Sequence, residues 1–182
     1  MTDIIHTPRK GSEMLEASGD VPMYMYSSLC KDMLYKGAFN MFTSIMMRKG
    51  KIILLLQNPR KMNSGHWMGV KMNPKKREIY FFSSYGGRPD EEKNEWIDLQ
   101  GRVESGQATN PLNDALKQYH QMGWKIMYND FPYQREGDDT ATCGIWTVAF
   151  LNSDLDPDQF ANVNRKYGLD ANYYYRKYFL KE

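Results

Sequence analysis

The chain has 182 residues, of which 41% are hydrophobic and 25% are charged, a composition typical of a soluble globular protein. Its formal net charge of +2 does not by itself indicate a nucleic-acid-binding protein. The longest purely apolar run, Ile52 to Leu56, is far shorter than the roughly 20 residues of a membrane-spanning helix. We therefore expect residues 1–182 to form a single domain without a membrane segment.

The two cysteines, Cys30 and Cys143, lie far apart and form no CxxC motif. This usage is untypical of a secreted disulfide framework and indicates a reducing compartment. The N-terminus carries an acid and an early proline without an apolar core, so we predict no signal peptide and an intracellular location. Basic clusters at Arg48-Lys49-Lys51 and Lys75-Lys76-Arg77 are typical of solvated turns and leave a weak DNA contact open.

The first half of the chain combines helical and strand patterns. Residues 1 to about 20 have weak periodicity and are expected to form a loosely held arm. A helix is predicted from a cap at Ser27 or Ser28 to Gly37. Lys51 to Gln57 has the pattern of a buried strand, and the next two strands, WMGVKM and IYFF, are joined by a short polar turn that predicts a hairpin or meander.

The second half adds one strand and several helices. A polar segment, PDEEKNEWIDLQGR, permits a helix, and Asn110-Pro111 opens another that Gly123 closes. WKIMYND predicts a fourth strand, and further helices are expected at Cys143, at Asp156-Pro157 and after Asp170. The predicted fold class is α+β, a small, mostly antiparallel mixed sheet with helices packed on it.

Cys143 lies in the stretch TATCGIWTVAFLNS, where small and polar residues lead into a nearly all-apolar run. Apolar residues on every side favour a buried helix, or otherwise a buried strand. At the N-terminus of a helix, unpaired N–H groups and the positive end of the dipole favour a thiolate. The alternative is that Cys143 is a small buried apolar residue without chemistry.

A nucleophilic cysteine needs a base within hydrogen-bond distance, usually a histidine. The candidates are His6 in the expected arm, His120 near a helix end and His66 where a loop enters a strand. The loop-to-strand position is common for exposed, positioned groups, which favours His66.

Three strings resemble motifs of the adenain family, the adenovirus maturation proteases, and more loosely the proteases that remove ubiquitin-like modifiers. They are GHWMGVKMNPKKREIYFFSSYG (residues 65–86), YNDFPYQ (128–134) and ATCGIW (141–146). They occur in the family's order of histidine, acid position, glutamine and cysteine. The resemblance implies a papain-like arrangement in which the nucleophile heads a central buried helix, with no metal and no cofactor.

Carried over residue by residue, the resemblance implies that Cys143 is the nucleophile, His66 the general base and Gln134 an oxyanion donor. Trp67 would line a narrow groove leading to the cysteine and so bind substrate. Gln134 and Cys143 are slightly farther apart than the family pattern, and the intervening REGDD would form a substrate-facing loop.

The chain departs from the family at the acid position, seventeen residues after His66, which is Ser83. A serine hydroxyl can orient an imidazole but cannot stabilise imidazolium as a carboxylate does. Three arrangements remain open: a weakened triad with Ser83, a Cys–His dyad, and a triad completed by Asp90 from the loop after Gly86-Gly87.

The resemblance implies a cysteine endopeptidase like the maturation proteases of virophages, Polinton-type elements and large DNA viruses. Its substrates would be capsid or other virion precursor proteins, cut near small residues at Gly-Gly or Gly-X, in the virion and the host cell cytoplasm. We expect a monomer. The alternatives are a protease that removes a ubiquitin-like modifier, with the same site residues, and a weak or inactive homologue that only binds.

Overall fold

The computed structural model describes residues 6–59, 65–134 and 141–180. Within these ranges the chain is an α+β protein, as predicted. The strands are β1 (Met23–Met25), β2 (Lys51–Gln57), β3 (Gly65–Asn73), β4 (Glu78–Ser83) and β5 (Lys125–Tyr128). The helices are α1 (Gly11–Ser18), α2 (Tyr26–Lys36), α3 (Ala38–Lys49), α4 (Glu91–Trp96), α5 (Leu99–Glu104), α6 (Pro111–Gln121), α7 (Cys143–Asn152), α8 (Pro157–Tyr167) and α9 (Ala171–Tyr178).

The described strands form one sheet in the order β1-β2-β3-β4-β5. The three inner strands are antiparallel, which confirms the predicted hairpin, and each edge strand pairs parallel to its neighbour. His66 is opposite Leu56 on β2, and Ser83 is opposite Met68 on β3. Because His66 lies two residues from Met68 along β3, the histidine and the serine lie near the same end of the sheet.

Helices cover both faces of the sheet, because each inner strand alternates apolar residues between the two faces. One core contains Leu54, Val70 and Phe81 with residues of α2, α3 and α6. The other contains Ile53 and Phe82 with residues of α1, α7, α8 and α9. None of the helices in the described residues is both long and apolar enough to cross a membrane.

Helix α7 lies on β3, and every residue from Cys143 to Leu151 is buried, as predicted for a central helix. Its approach requires Gly69, where a Cβ would lie 3.1 Å from Thr147 Cγ2. The C-terminal end of α7 is held by Lys71, whose Nζ donates to the carbonyls of Phe150 (2.8 Å) and Ser153 (2.7 Å). Because Lys71 is part of β3, these two hydrogen bonds tie the C-terminal end of α7 to the sheet.

The N-terminal segment differs from the loosely held arm predicted for residues 1–20; residues 1–5 lie outside the described ranges. Gly11–Ser18 form α1, and Met14 is fully buried. This helix packs on α7, and Arg9, just before it, is 6% exposed. The physical reason is that α7 is apolar all round and needs cover on each side.

Two further details of the helices differ from the sequence prediction. Residues 38–49, to which no element was assigned from the sequence, form α3, and α2 begins at Tyr26, before either predicted cap. The N-cap of α2 is Met25, without a side-chain hydrogen bond, whereas Gly37 ends the helix as predicted.

Candidate active site

Cys143 is the first residue of α7, and 8% of its surface is exposed. The backbone N–H of Trp67 donates to its Sγ at 3.5 Å. Burial raises the pKa of a thiol, but hydrogen bonding to His66, the charge of His66 and the amides of Trp67 and Gly144 lower the pKa of Cys143 below its ordinary 9.0. The surroundings therefore favour the thiolate, as in reactive cysteines.

His66 faces Cys143 from β3 and is 1% exposed. Its ring contacts the rings of Tyr85 and Trp96, with centroid distances of 4.9 and 5.1 Å, and those two rings also contact each other at 5.2 Å. Burial lowers the pKa of an imidazole, but hydrogen bonding to Cys143 and Glu92 and the charges of both raise the pKa of His66 from 6.5 to about 9. Both pKa shifts therefore favour the thiolate–imidazolium form of the pair.

Ser83 lies where the sequence predicted a partner of His66, with its Oγ 2.9 Å from Nε2. Behind it is Glu92, which the sequence analysis did not single out. Ser83 Oγ donates to Glu92 Oε1 at 2.5 Å, and Glu92 Oε2 lies 3.1 Å from His66 Nε2. The carboxylate therefore contacts the imidazole both directly and through the serine.

The sequence also left open a triad completed by Asp90, but Asp90 does not contact His66. Its Oδ1 accepts a hydrogen bond from the Tyr26 hydroxyl and lies 3.3 Å from Lys93 Nζ. Its Oδ2 accepts from the backbone N–H of Asn113 at 2.8 Å. Asp90 is the N-cap residue of α4, so these contacts anchor the helix that carries Glu92.

Gln134 is 4% exposed and is bound to Ser84, the residue after β4. Its Oε1 accepts a hydrogen bond from the Ser84 hydroxyl, and its backbone N–H donates to the Ser84 carbonyl at 2.9 Å. The preceding Tyr133 packs on Trp146 of α7, with ring centroids 4.5 Å apart. These contacts hold Gln134 at the end of β4, next to a residue that packs on α7.

A buried asparagine that the sequence analysis also missed fixes Ser83. Asn129 is 1% exposed; its Oδ1 accepts from the Ser83 N–H at 3.1 Å and its Nδ2 donates to the Ser83 carbonyl at 2.5 Å. Nothing local marks Asn129 in the sequence, because its role depends on the parallel pairing of β4 and β5.

Trp67, which was predicted to line a narrow groove leading to Cys143, is buried in the structure. The residue is 6% exposed and lies in the same core as Cys143 and Met14. Its Nε1 donates to the carbonyl of Arg9 at 3.1 Å, so the N-terminal segment covers the indole. The REGDD loop, residues 135–139, lies outside the described residues.

We expect Gly144→Ala to lower the free energy of unfolding by about 1–3 kcal/mol, the usual cost of overpacking. A Cβ on Gly144 would lie 2.9 Å from Met14 Sδ and 3.0 Å from Arg9 Cγ. The matched control is Gly11→Ala, because a Cβ there meets Met23 Cε at an ordinary 3.6 Å. Urea unfolding of both variants measures the difference; equal midpoints would show that residues 9–14 do not pack on α7.

No protein-family model matches the chain. A protein of Sputnik virophage, "Uncharacterized protein V9", is 31% identical over 165 residues, which cover 90% of this chain and 83% of the virophage protein.

Several solved structures are similar at low identity. The SUMO protease Ulp1 with its catalytic cysteine oxidized to a sulfinic acid is 13% identical, with a TM-score of 0.42 over 92% of this chain and 71% of that chain. The C-terminal Ulp1 protease domain in complex with Smt3, the yeast ortholog of SUMO, is 13% identical. Its TM-score is 0.43, over 96% of this chain and 75% of that chain. ChlaDub1 from Chlamydia trachomatis is 10% identical, with a TM-score of 0.43 over 88% of this chain and 84% of that chain. Function has to be argued from the site itself.

Proposed function

The chain belongs to the family of the Sputnik virophage protein V9, and we propose that it is a cysteine endopeptidase that processes the precursor proteins of a virion. The observation that carries this proposal is the buried line of Cys143, His66 and a carboxylate. His66 is 1% exposed, and Glu92 Oε2 lies 3.1 Å from its Nε2. A histidine between a thiol and a carboxylate is the arrangement that activates a cysteine nucleophile.

The proton positions follow from the contacts. The Glu92 carboxylate can only accept, so the Ser83 hydroxyl donates to it and must accept from His66 Nε2–H. The other ring nitrogen, Nδ1, is buried and has no hydrogen-bond partner among the described residues, so it is the nitrogen available to the thiol and to the substrate. Proton exchange with the substrate therefore uses Nδ1.

In the reaction, the Cys143 thiolate attacks the peptide carbonyl carbon, and an S–C bond forms as the carbonyl oxygen becomes negative. The backbone N–H of Cys143 and the side-chain amide of Gln134 stabilise that oxyanion. The imidazolium gives its Nδ1 proton to the leaving amine, and the C–N bond breaks. Neutral His66 then removes a proton from water, which hydrolyses the acyl-enzyme and returns the thiolate.

A cavity of about 270 Å³ beside the site supports a peptide substrate. Its lining includes Gln134, Glu92 and Trp96, together with Gly86 and Gly87. Because Cys143 is only 8% exposed, a substrate with small residues at the scissile bond fits best. The restricted access to Cys143 supports the proposed preference for cleavage at Gly-Gly or Gly-X.

The test is incubation of the purified protein with three substrate sets, followed by mass spectrometry of the new termini. The sets are capsid precursors of the encoding virus, Gly-Gly-X peptides and linear fusions of ubiquitin-like modifiers. We expect cuts after small residues in the first two sets, and none with Cys143→Ser. Cleavage of the fusions alone would assign the removal of a modifier, and no cleavage of any set would favour a binding-only protein.

A further inference from the structure

We infer that Glu92 is the positioning carboxylate of the site and that Ser83 is a relay between it and His66, an inference that rests on the proposed peptidase function. Position 83 is where the adenain resemblance expects an acid, and this chain has serine there. In the structure a carboxylate is nevertheless present at His66, supplied by helix α4 instead of strand β4.

The contacts of Ser83 agree with a relay. Its Oγ accepts from the Tyr85 backbone N–H at 3.3 Å, lies 2.9 Å from His66 Nε2 and donates to Glu92 Oε1 at 2.5 Å. These three contacts use both lone pairs and the proton of the hydroxyl. By donating to the Glu92 carboxylate, the Ser83 hydroxyl becomes a stronger acceptor for the N–H of the His66 imidazole.

Because Glu92 is buried, its carboxylate needs a cationic partner close by. Glu92 is 4% exposed, and Ser83 is not exposed at all. A buried carboxylate is costly unless a cation accompanies it. In the described part of the chain that cation is His66, because neighbouring Lys93 pairs with Asp90.

Gly87 provides the space that Glu92 occupies. A Cβ on Gly87 would lie 2.6 Å from Glu92 Cγ and 2.7 Å from Cδ, so any larger residue would displace the carboxylate. The carboxylate thus depends on two features outside the motif strings: the glycine at 87 and the Asp90 contacts that anchor α4.

The titratable groups that face His66 are Cys143 from α7, Glu92 from α4 and Tyr85 after β4. Of these, Glu92 is the negative group that remains when the thiolate is consumed in the acyl-enzyme. Loss of its charge should therefore destabilise imidazolium throughout the reaction, which a role in folding alone would not do.

The experiment compares Glu92→Gln, Ser83→Ala and Gly87→Ala, with Glu104→Gln, at an exposed position at the end of α5, as the control. Two readouts are used: kcat and KM on a cleaved peptide, and the pH profile of Cys143 alkylation by iodoacetamide, which needs no substrate. For Glu92→Gln we expect kcat to fall roughly 100-fold with little change in KM. The alkaline limb of the kcat profile should move to lower pH, and the acid limb of alkylation should move to higher pH.

Ser83→Ala should lose less than about 10-fold in kcat, because Glu92 Oε2 still contacts Nε2 directly. Gly87→Ala should change kcat and the two pH profiles in the same direction as Glu92→Gln. Adding Ser83→Asp to Glu92→Gln should restore part of kcat and move both pH limbs back toward their original positions. Unchanged pH limbs in Glu92→Gln would overturn the inference. If the acid limb of alkylation moves in Glu92→Gln but no peptide is cut by the unsubstituted protein, the proposed function fails while the role of Glu92 stands.

Discussion

Replacing Cys143 with serine is expected to abolish peptide cleavage, a loss of roughly 10⁵- to 10⁶-fold, as for other covalent nucleophiles. Serine nearly preserves the side-chain volume, and a hydroxyl is far less acidic than a thiol whose pKa is lowered by His66, Trp67 and Gly144. The matched control is Cys30→Ser. That position is fully buried, whereas Cys143 is 8% exposed, and it lies on α2.

Iodoacetamide labelling with peptide mass spectrometry measures the same difference without a substrate. Burial, reinforced by the charge of Asp90, raises the pKa of the Cys30 thiol from 9.0 to about 12, so its thiolate is scarce at neutral pH. We expect Cys143 to react at least about 100-fold faster than Cys30 at pH 7. Equal, slow labelling of both cysteines would contradict an activated nucleophile.

The sequence predicted those parts of the fold that depend on local pattern. β2 is a run of large aliphatic residues, and α7 is apolar on every side, so both were identified as buried. The parallel pairing of the edge strands β1 and β5, by contrast, depends on long crossover connections. In addition, β1 has only three residues. The N-terminal helix was missed for a related reason: its single fully buried apolar residue, Met14, becomes important only when α7 lies beside it.

The candidate site divides in the same way. Cys143 and His66 stand in strings with a recognisable order, and the structure brings them together. Glu92 stands in a polar segment beside Glu91 and Glu95, and nothing in that segment distinguishes the one glutamate that is buried. It becomes a partner of His66 only because the chain turns at Gly86-Gly87, and Gly87 leaves space for its side chain. That turn is a tertiary feature.

His66→Gln is expected to change the pH dependence of the site as well as its rate. In the intact pair, the pKa of Cys143 lies below 9.0 and the pKa of His66 is about 9. Thiolate and imidazolium therefore coexist above the lowered thiol pKa and below about pH 9, and cleavage should be bell-shaped over that window. The acid limb reports formation of the thiolate, and the alkaline limb reports loss of the imidazolium that protonates the leaving amine.

Without His66, burial is the largest influence left on the thiol, and it raises the pKa of Cys143. Alkylation at pH 6 should then fall by roughly 100- to 1,000-fold, and it should rise steadily with pH instead of reaching a plateau. Peptide cleavage should remain low even at pH 10, because restoring the thiolate does not restore the acid. His120→Gln, an exposed histidine near the end of α6, is the control and should leave both profiles unchanged. A His66→Gln variant whose alkylation keeps the plateau would show that α7 and the Trp67 amide alone stabilise the thiolate, and the Cys–His pair would have to be abandoned.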